Sequence, residues 1–218
     1  MPLIGEKDRK MLRQEFAQMT EPVRLIVFTQ DRECQYCKET RQIAQELTEL
    51  SDKLSLEVYD FLADKEQVES FRIDKIPAIA VVRAGAHPKD YGIRFYGIPS
   101  GYEFGTLVED ILMVSAGQSG LTDQTKKAVA SIRTPAHLQV FVTPTCPYCP
   151  QAVRLAHQLA MESDLITADM VEAIEFPHLA NKYEVMGVPR TVINDARHIE
   201  GAAPEAMVVQ ELLAAVQG

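Results

Sequence analysis

The chain has 218 residues, of which 46% are hydrophobic and 24% charged, and its formal net charge is −9. This composition is ordinary for a globular protein, and the length fits one large domain or two small ones. The acidic balance argues against nucleic-acid and anionic-membrane partners, since both require a basic surface. No apolar stretch approaches the roughly 20 residues of a membrane span. The chain becomes charged at Glu6 without the pattern of a secretory signal, so a cytoplasmic location is expected.

Hydrophobic periodicity and turn residues predict the elements of the first half. A helix, a buried strand and a loop lead to Cys34, which is expected to open the next helix. A second strand, a short helix, a hairpin and a closing helix follow. The predicted ranges are helix 6–19, strand 23–28, helix 34–50, strand 54–61, helix 68–73, hairpin strands 77–83 and 92–96, and helix 104–114.

The second half repeats this order, and adding 112 to a residue number maps Cys34 to Cys146 and Pro77 to Pro189. The order predicts an α/β protein with two tandem domains, each a mixed central sheet flanked by helices. We place the boundary in the flexible stretch 116–120, which gives domains 1–117 and 118–218. The predicted ranges are helix 123–132 with Asp123 as N-cap, strand 138–142, a helix that follows Cys146, strand 165–174, helix 178–185, strands 191–194 and 197–199, and helix 204–216.

All four cysteines lie in two short motifs, Cys34-Gln35-Tyr36-Cys37 and Cys146-Pro147-Tyr148-Cys149. A structural disulfide framework would tie distant segments together, whereas each of these pairs can bridge only locally. The start of a helix favours an anion, which lowers the pKa of a thiol placed there. Cys34 and Cys146 are therefore the expected nucleophiles. Cys37 and Cys149 are the expected resolving thiols.

An apolar residue and a proline lie at the same distance from each motif. Pro77 follows Cys37 by 40 positions and Pro189 follows Cys149 by 40 positions. An X-Pro bond beside a reactive cysteine pair suggests a cis peptide. The preceding residues, Ile76 and Val188, would then offer their backbone to an extended substrate strand. The tyrosines of the motifs, Tyr36 and Tyr148, are expected to shape the substrate surface.

These motifs resemble the active sites of the thioredoxin and glutaredoxin superfamily. Cys-Pro-Tyr-Cys is similar to the glutaredoxin motif, and residues 183–189 resemble the thioredoxin segment that leads into its cis-proline. Two such units, with Cys-Gln-Tyr-Cys first, resemble the protein disulfide oxidoreductases of thermophilic prokaryotes. The resemblance implies two fused thioredoxin-like domains, a role in reducing, oxidising or isomerising protein disulfides, and a source rich in intracellular disulfides.

The sequence departs from these families at two points. Phe28 and Val140 occupy the region where thioredoxins carry a buried aspartate, while the neighbouring strands offer Asp60 and Glu172. These carboxylates are candidate proton acceptors for the resolving thiols, or else ordinary strand-end residues. The segments by which glutaredoxins bind glutathione differ here, with Lys75 before Ile76. The expected partners are therefore protein disulfides or dithiols and a flavoprotein dithiol reductase, and no cofactor is expected.

The sequence is also compatible with other functions. Four cysteines can bind zinc, but the second motif begins 109 positions after the first ends, far beyond the spacing of zinc ribbons. A dimer can bridge an iron–sulfur cluster through one motif. The chain can also carry electrons to a peroxiredoxin-type enzyme, or serve as a non-catalytic binding module, although such a module would normally have lost a motif. We interpret His157 as a surface or packing residue, and Arg190 as a solvated residue or a source of positive charge at the second motif.

Overall fold

The computed structural model describes residues 2–216, within which eight strands form one sheet covered by helices. The first half consists of α1 (Glu6–Phe16), β1 (Val23–Thr29), α2 (Cys37–Thr48), β2 (Leu54–Asp60), α3 (Lys65–Ser70), β3 (Ala78–Arg83), β4 (Lys89–Tyr96) and α4 (Tyr102–Ala116). The second half consists of α5 (Asp123–Val129), β5 (Ala136–Val142), α6 (Cys149–Glu162), β6 (Ile166–Glu172), α7 (Pro177–Lys182), β7 (Arg190–Ile193), β8 (Arg197–Glu200) and α8 (Glu205–Val216).

The two halves share one continuous sheet, in the order β2-β1-β3-β4-β6-β5-β7-β8. Each half contributes a mixed set of parallel and antiparallel strands. The halves join where β4 pairs in parallel with β6, from Ile93 opposite Ala168 to Tyr96 opposite Val171. This pairing covers two strand edges that would otherwise expose unpaired backbone groups. The division into domains 1–117 and 118–218 stays a prediction.

The helices divide unequally between the two faces of the sheet. Side chains of α1, α2, α4, α5, α6 and α8 pack with alternate strand residues such as Val140 and Val142 in the larger core. Of the helices within residues 2–216, only α3 and α7 contribute to the smaller core on the opposite face, which includes Phe28 and Phe141. This alternation follows from the period of two in a strand. Among residues 2–216, no helix is long and apolar enough to cross a membrane.

The prediction that Cys34 opens a helix is wrong. Helix α2 begins at Cys37, and its first hydrogen bond runs from the Thr40 N–H to the Tyr36 carbonyl at 2.9 Å. The backbone of Glu33 has φ 55°, which turns the chain just before Cys34 and delays the helix. Helix α6 begins likewise at Cys149, with a proline in its first turn. Each first cysteine therefore lies in the loop ahead of the helix.

Two smaller predictions also need correction. Thr122, not Asp123, caps α5, because its hydroxyl oxygen accepts a hydrogen bond from the Thr125 N–H at 3.3 Å. Helix α3 begins and ends three residues earlier than predicted, since Arg72 adopts φ 54° and terminates the helical conformation. Neither change affects the order of elements.

Candidate active sites

The two cysteine motifs open at the same edge of the sheet. Strands β1 and β5 run in the same direction, and each delivers a motif at its carboxyl end. Three strands, β3, β4 and β6, lie between them. With about 4.8 Å between neighbouring strands, the two strand ends are separated by roughly 19 Å along the sheet. We call the pair Cys34 and Cys37 site 1, and the pair Cys146 and Cys149 site 2.

Both pairs are joined as disulfides, with a Cα–Cα distance of 5.5 Å in each. In each pair the first cysteine is the more accessible one. Cys146 is 7% exposed and Cys149 is fully buried, while Cys34 is partly exposed and Cys37 is buried. A disulfide with one accessible sulfur can exchange with an external thiolate at that sulfur and use the buried sulfur as leaving group.

The two prolines lie beside these disulfides. The Ile76–Pro77 and Val188–Pro189 peptide bonds are both cis. At site 2 the Cys146 sulfur lies 3.7 Å from the carbonyl oxygen of Val188, so this backbone group borders the reactive atom. An extended chain that brings a disulfide to Cys146 can therefore meet the backbone of Val188. Tyr148 is 67% exposed at the same site, whereas Tyr36 is only partly exposed.

The two strand-end carboxylates have different surroundings. Asp60 is partly exposed, and one of its oxygens accepts hydrogen bonds from the N–H groups of Leu62 (2.9 Å) and Ala63 (2.8 Å). Glu172 is buried on the face of the sheet that α6 covers, and its Oε2 accepts a bond from the Glu175 N–H at 2.6 Å. No group in the described part of the chain, residues 2–216, forms a hydrogen bond with its Oε1. Burial is the main reason that the pKa of Glu172 is raised. Of the two carboxylates, Glu172 is the more buried, and its role as a proton acceptor stays a prediction.

Sequence reasoning missed a second buried carboxyl group, Glu103 in the first turn of α4. Helix α4 begins beside the site 2 loop, where the Tyr102 N–H donates to the Pro144 carbonyl at 3.1 Å. The approach is so close that a Cβ at Gly101 would collide with that carbonyl. The signal was present in the sequence: Glu103, Thr106 and Asp110 recur on one face of an otherwise apolar helix.

The pairing of α4 with α6 fixes the position of Glu103 along the axes of the two helices. The two helices start at the same edge, and His157 of α6 meets Asp110 of α4 at 2.5 Å. Glu103 precedes Asp110 by seven residues, or about 10.5 Å along the axis, and Cys149 precedes His157 by eight, or about 12 Å. Glu103 therefore lies level with the first turn of α6, which begins at the resolving cysteine.

Glu103 is poised to exchange a proton near neutral pH. The residue is 1% exposed, and within residues 2–216 neither carboxylate oxygen has a partner with regular hydrogen-bond geometry. Burial raises the pKa of Glu103 from 4.5 to about 7, an effect to which Asp110 adds and which Thr106 and His157 partly offset. A carboxyl group with such a pKa can act as both acceptor and donor of a proton.

The structure distinguishes between the alternatives left open for two further side chains. His157 is a packing residue: it and Asp110 form a fully buried pair, and the imidazole ring packs edge-on against Phe95 at 5.1 Å. Arg190 is only 11% exposed and donates to Glu200 at 2.6 Å, so its positive charge is compensated. Across residues 2–216, no group of three or more His, Cys, Asp or Glu side chains has the arrangement of a metal site.

Comparison with known proteins supports this geometry. A family model described as a thioredoxin domain matches residues 136–214. The alkyl hydroperoxide reductase component AhpF of Staphylococcus aureus is 28% identical over 180 residues, which cover 81% of this chain but 31% of that protein. The chain thus spans about a third of the curated relatives that it matches. A structure of AhpF from Enterococcus faecalis is 27% identical and superposes with a TM-score of 0.86, over 95% of this chain and 98% of that one.

One solved structure is similar over almost its whole length. The protein disulfide oxidoreductase of Aeropyrum pernix is 34% identical and superposes with a TM-score of 0.92, over 99% of this chain and 94% of that one. The predicted fold of two tandem thioredoxin-like units, each a mixed sheet flanked by helices, is confirmed by this agreement. With this identity over nearly the full length of both proteins, the chain belongs to the protein disulfide oxidoreductase family.

Proposed function

We propose that this protein is a thiol–disulfide oxidoreductase that exchanges disulfides with protein substrates at two sites. The observation that carries the proposal is the pair of motif disulfides at one sheet edge, in each of which the first cysteine is less buried than the second. Structural disulfides are seldom confined to adjacent turns, whereas a dithiol carrier requires this arrangement.

The proposed reduction begins when the Cys146 thiolate attacks a substrate disulfide. A bond forms between Cys146 and one substrate sulfur, and the other substrate sulfur leaves as a thiolate that takes a proton from solvent. The Cys149 thiol then gives up its proton, and its thiolate attacks the Cys146 sulfur. The second substrate sulfur leaves, so two electrons have passed to the substrate and the motif is oxidised. Cys34 and Cys37 perform the same steps at site 1, and the reverse sequence oxidises a substrate dithiol.

At site 2 we assign the acceptor of the Cys149 proton to the buried carboxyl groups on the α6 side of the sheet. Glu103 lies level with the first turn of α6 and has a pKa of about 7. Glu172 lies at the end of β6 with one unpartnered oxygen. At site 1 the Asp60 carboxylate accepts hydrogen bonds from the N–H groups of its own turn. A role of Asp60 as acceptor of the Cys37 proton is therefore less well supported.

The backbone of the substrate is proposed to contact Ile76, Pro77, Val188 and Pro189. The side chains of the substrate are proposed to contact Tyr36 and Tyr148.

The similarity to AhpF also supports a second candidate function. Because AhpF is a component of an alkyl hydroperoxide reductase, this chain could pass electrons from a flavoprotein dithiol reductase to a peroxiredoxin-type enzyme. We propose a cytoplasmic setting, where paired cysteines are more often catalytic than structural.

Turnover of a protein disulfide by variants that lack one or both sites tests the proposal. Replacing Cys34 and Cys37 by Ser leaves site 2 alone, and replacing Cys146 and Cys149 by Ser leaves site 1 alone. We expect each of these proteins to reduce the substrate and the variant without any cysteine to be inactive. Full activity of the cysteine-free variant would contradict the proposed function. Complete loss in either single-site protein would show that the two sites act in series.

A further inference from the structure

The two sites share their geometry but not the charge of their surroundings. The offset of 112 residues that superimposes the motifs pairs seven charged residues around site 1 with seven uncharged ones around site 2. The charged set is Asp31, Arg32, Glu33, Lys38, Glu39, Asp74 and Lys75. Their counterparts are Thr143, Pro144, Thr145, Pro150, Gln151, Met186 and Gly187.

The surroundings of site 2 also expose large apolar side chains. Met186 is 93% exposed, Ile174 70%, Tyr148 67% and Tyr102 53%. We call these four side chains the site 2 rim. A soluble protein leaves such groups exposed together mainly where something binds.

Four segments bring the rim residues to the reactive sulfur. Tyr148 belongs to the motif itself, and Met186 lies two residues before Val188, whose carbonyl is 3.7 Å from the Cys146 sulfur. Tyr102 follows the contact with Pro144, and Ile174 follows Ala173, whose N–H donates to the Val142 carbonyl just before the motif loop. The rim residues therefore lie on the segments that border the site 2 motif.

At site 1 the position of Met186 is taken by Asp74, whose side chain is 69% exposed and pairs with the buried Lys75 at 2.5 Å. The Lys75 ammonium also lies 3.7 Å from the centre of the Tyr96 ring. An apolar segment that covered site 1 would remove Asp74 and its charged neighbours from water without replacing their hydration, which is costly. At site 2 the seven counterpart positions carry no charge, so the same segment would desolvate fewer charged groups there.

We infer that the two sites select different partners, and that site 2 binds disulfides embedded in extended, apolar segments of a client protein. This inference rests on the proposed function. A client of this kind presents apolar side chains on both sides of its cystine, as a chain does before it has folded. Its backbone can pair with Val188 while its apolar side chains cover Met186, Ile174 and the two tyrosines.

Two model peptides of equal length test the inference, each closed by one disulfide and flanked either by Leu and Val or by alternating Lys and Glu. Pre-reduced single-site proteins are mixed with each peptide, and the rate constants of peptide reduction are compared. We expect the protein with site 2 alone to prefer the apolar peptide by about tenfold, the factor for desolvating one large apolar side chain. The protein with site 1 alone should show no such preference.

In the site 2 protein, Met186→Asp introduces the residue found at site 1 and should remove most of the preference. Met11→Asp is the matched control, because Met11 is 47% exposed on α1, a helix of the first half. It should leave the ratio of the two rate constants unchanged. Equal rates for the two peptides at site 2, or the same apolar preference at site 1, would overturn the inference. Failure of the site 2 protein to reduce either peptide would instead overturn the proposed function.

Discussion

Replacing Glu103 by Gln should change how the stability of this protein depends on pH. The carboxyl group is 1% exposed, and burial raises its pKa from 4.5 to about 7. Because the folded state holds the proton more tightly than the unfolded chain, stability is highest below the unfolded pKa. It falls as the pH rises through the interval from 4.5 to about 7, where only the unfolded chain is ionised. The difference of about 2.5 pKa units corresponds to about 3 kcal/mol.

The Glu103→Gln variant keeps the shape of the side chain but cannot ionise. Its stability relative to the wild type should therefore improve by about 2.5 kcal/mol between about pH 5 and about pH 8. Any fixed cost of burying the amide is the same at both values and cancels from this difference. Urea unfolding of the oxidised proteins at the two pH values measures it. Glu109→Gln is the matched control, because it removes a carboxylate of the same helix that is 49% exposed and pairs with Arg154 at 2.8 Å, and its effect should be the smaller of the two.

The same variant separates a proton-transfer role from a structural one. In the site 2 protein, Glu103→Gln should slow release of the substrate from the mixed disulfide by at least about tenfold near neutral pH and flatten the pH dependence of that step. An unchanged pH dependence of both stability and release would refute our assignment of Glu103. A change in stability alone would leave Glu103 a buried titrating residue without a part in exchange.

Three further outcomes are expected. Glu172→Gln should also slow release of the substrate from the mixed disulfide at site 2 while leaving the rate of a single turnover at site 1 unchanged. Equal effects at both sites would contradict the assignment of Glu172 to site 2. His157→Phe, which leaves the Asp110 carboxylate buried without a partner, should lower the free energy of unfolding by about 3–5 kcal/mol in urea. The double variant with Asp110→Leu should recover most of that loss, and no recovery would contradict the account of the pair. Alkylation rates across pH should give the Cys146 thiol a lower pKa than the Cys34 thiol, since acidic residues flank Cys34; the reverse order would show that burial of Cys146 outweighs these charges.

The sequence alone predicted the order of elements, the fold and the family, because these depend on local periodicity and on two motifs with fixed spacing. A constant offset of 112 residues maps the segment from Cys34 to Pro77 onto the second half, and this repeat was enough to identify two equivalent units. The pairing of β4 with β6 was not predicted, since nothing within either half specifies which strand edge meets the other. The start of α2 was also misplaced, because the loop residue Glu33, with its positive φ, delays the helix past Cys34.

The buried polar groups were the largest omission. Glu103 belongs to the last helix of the first half, and only the packing of α4 against α6 brings it level with a cysteine of the second half. His157 was interpreted as a surface or packing residue, since its partner Asp110 lies 47 positions away. Such pairs depend on tertiary contacts that a single sequence does not specify. Glu172 was a candidate from the sequence, and its burial and unpartnered oxygen distinguish it from Asp60.

Trapping of the mixed disulfide tests the central claim most directly, namely that the first cysteine of each motif attacks and the second resolves. In the site 2 protein, Cys149→Ser removes the resolving thiol and Cys146→Ser removes the nucleophile, and the site 1 protein allows the same pair of changes. Each protein is mixed with a disulfide substrate, quenched with acid and analysed by mass spectrometry. We predict a stable covalent adduct on Cys146 and on Cys34 when the second cysteine is absent, and none when the first is absent. Adducts that form equally well on Cys149 or Cys37 would contradict the account.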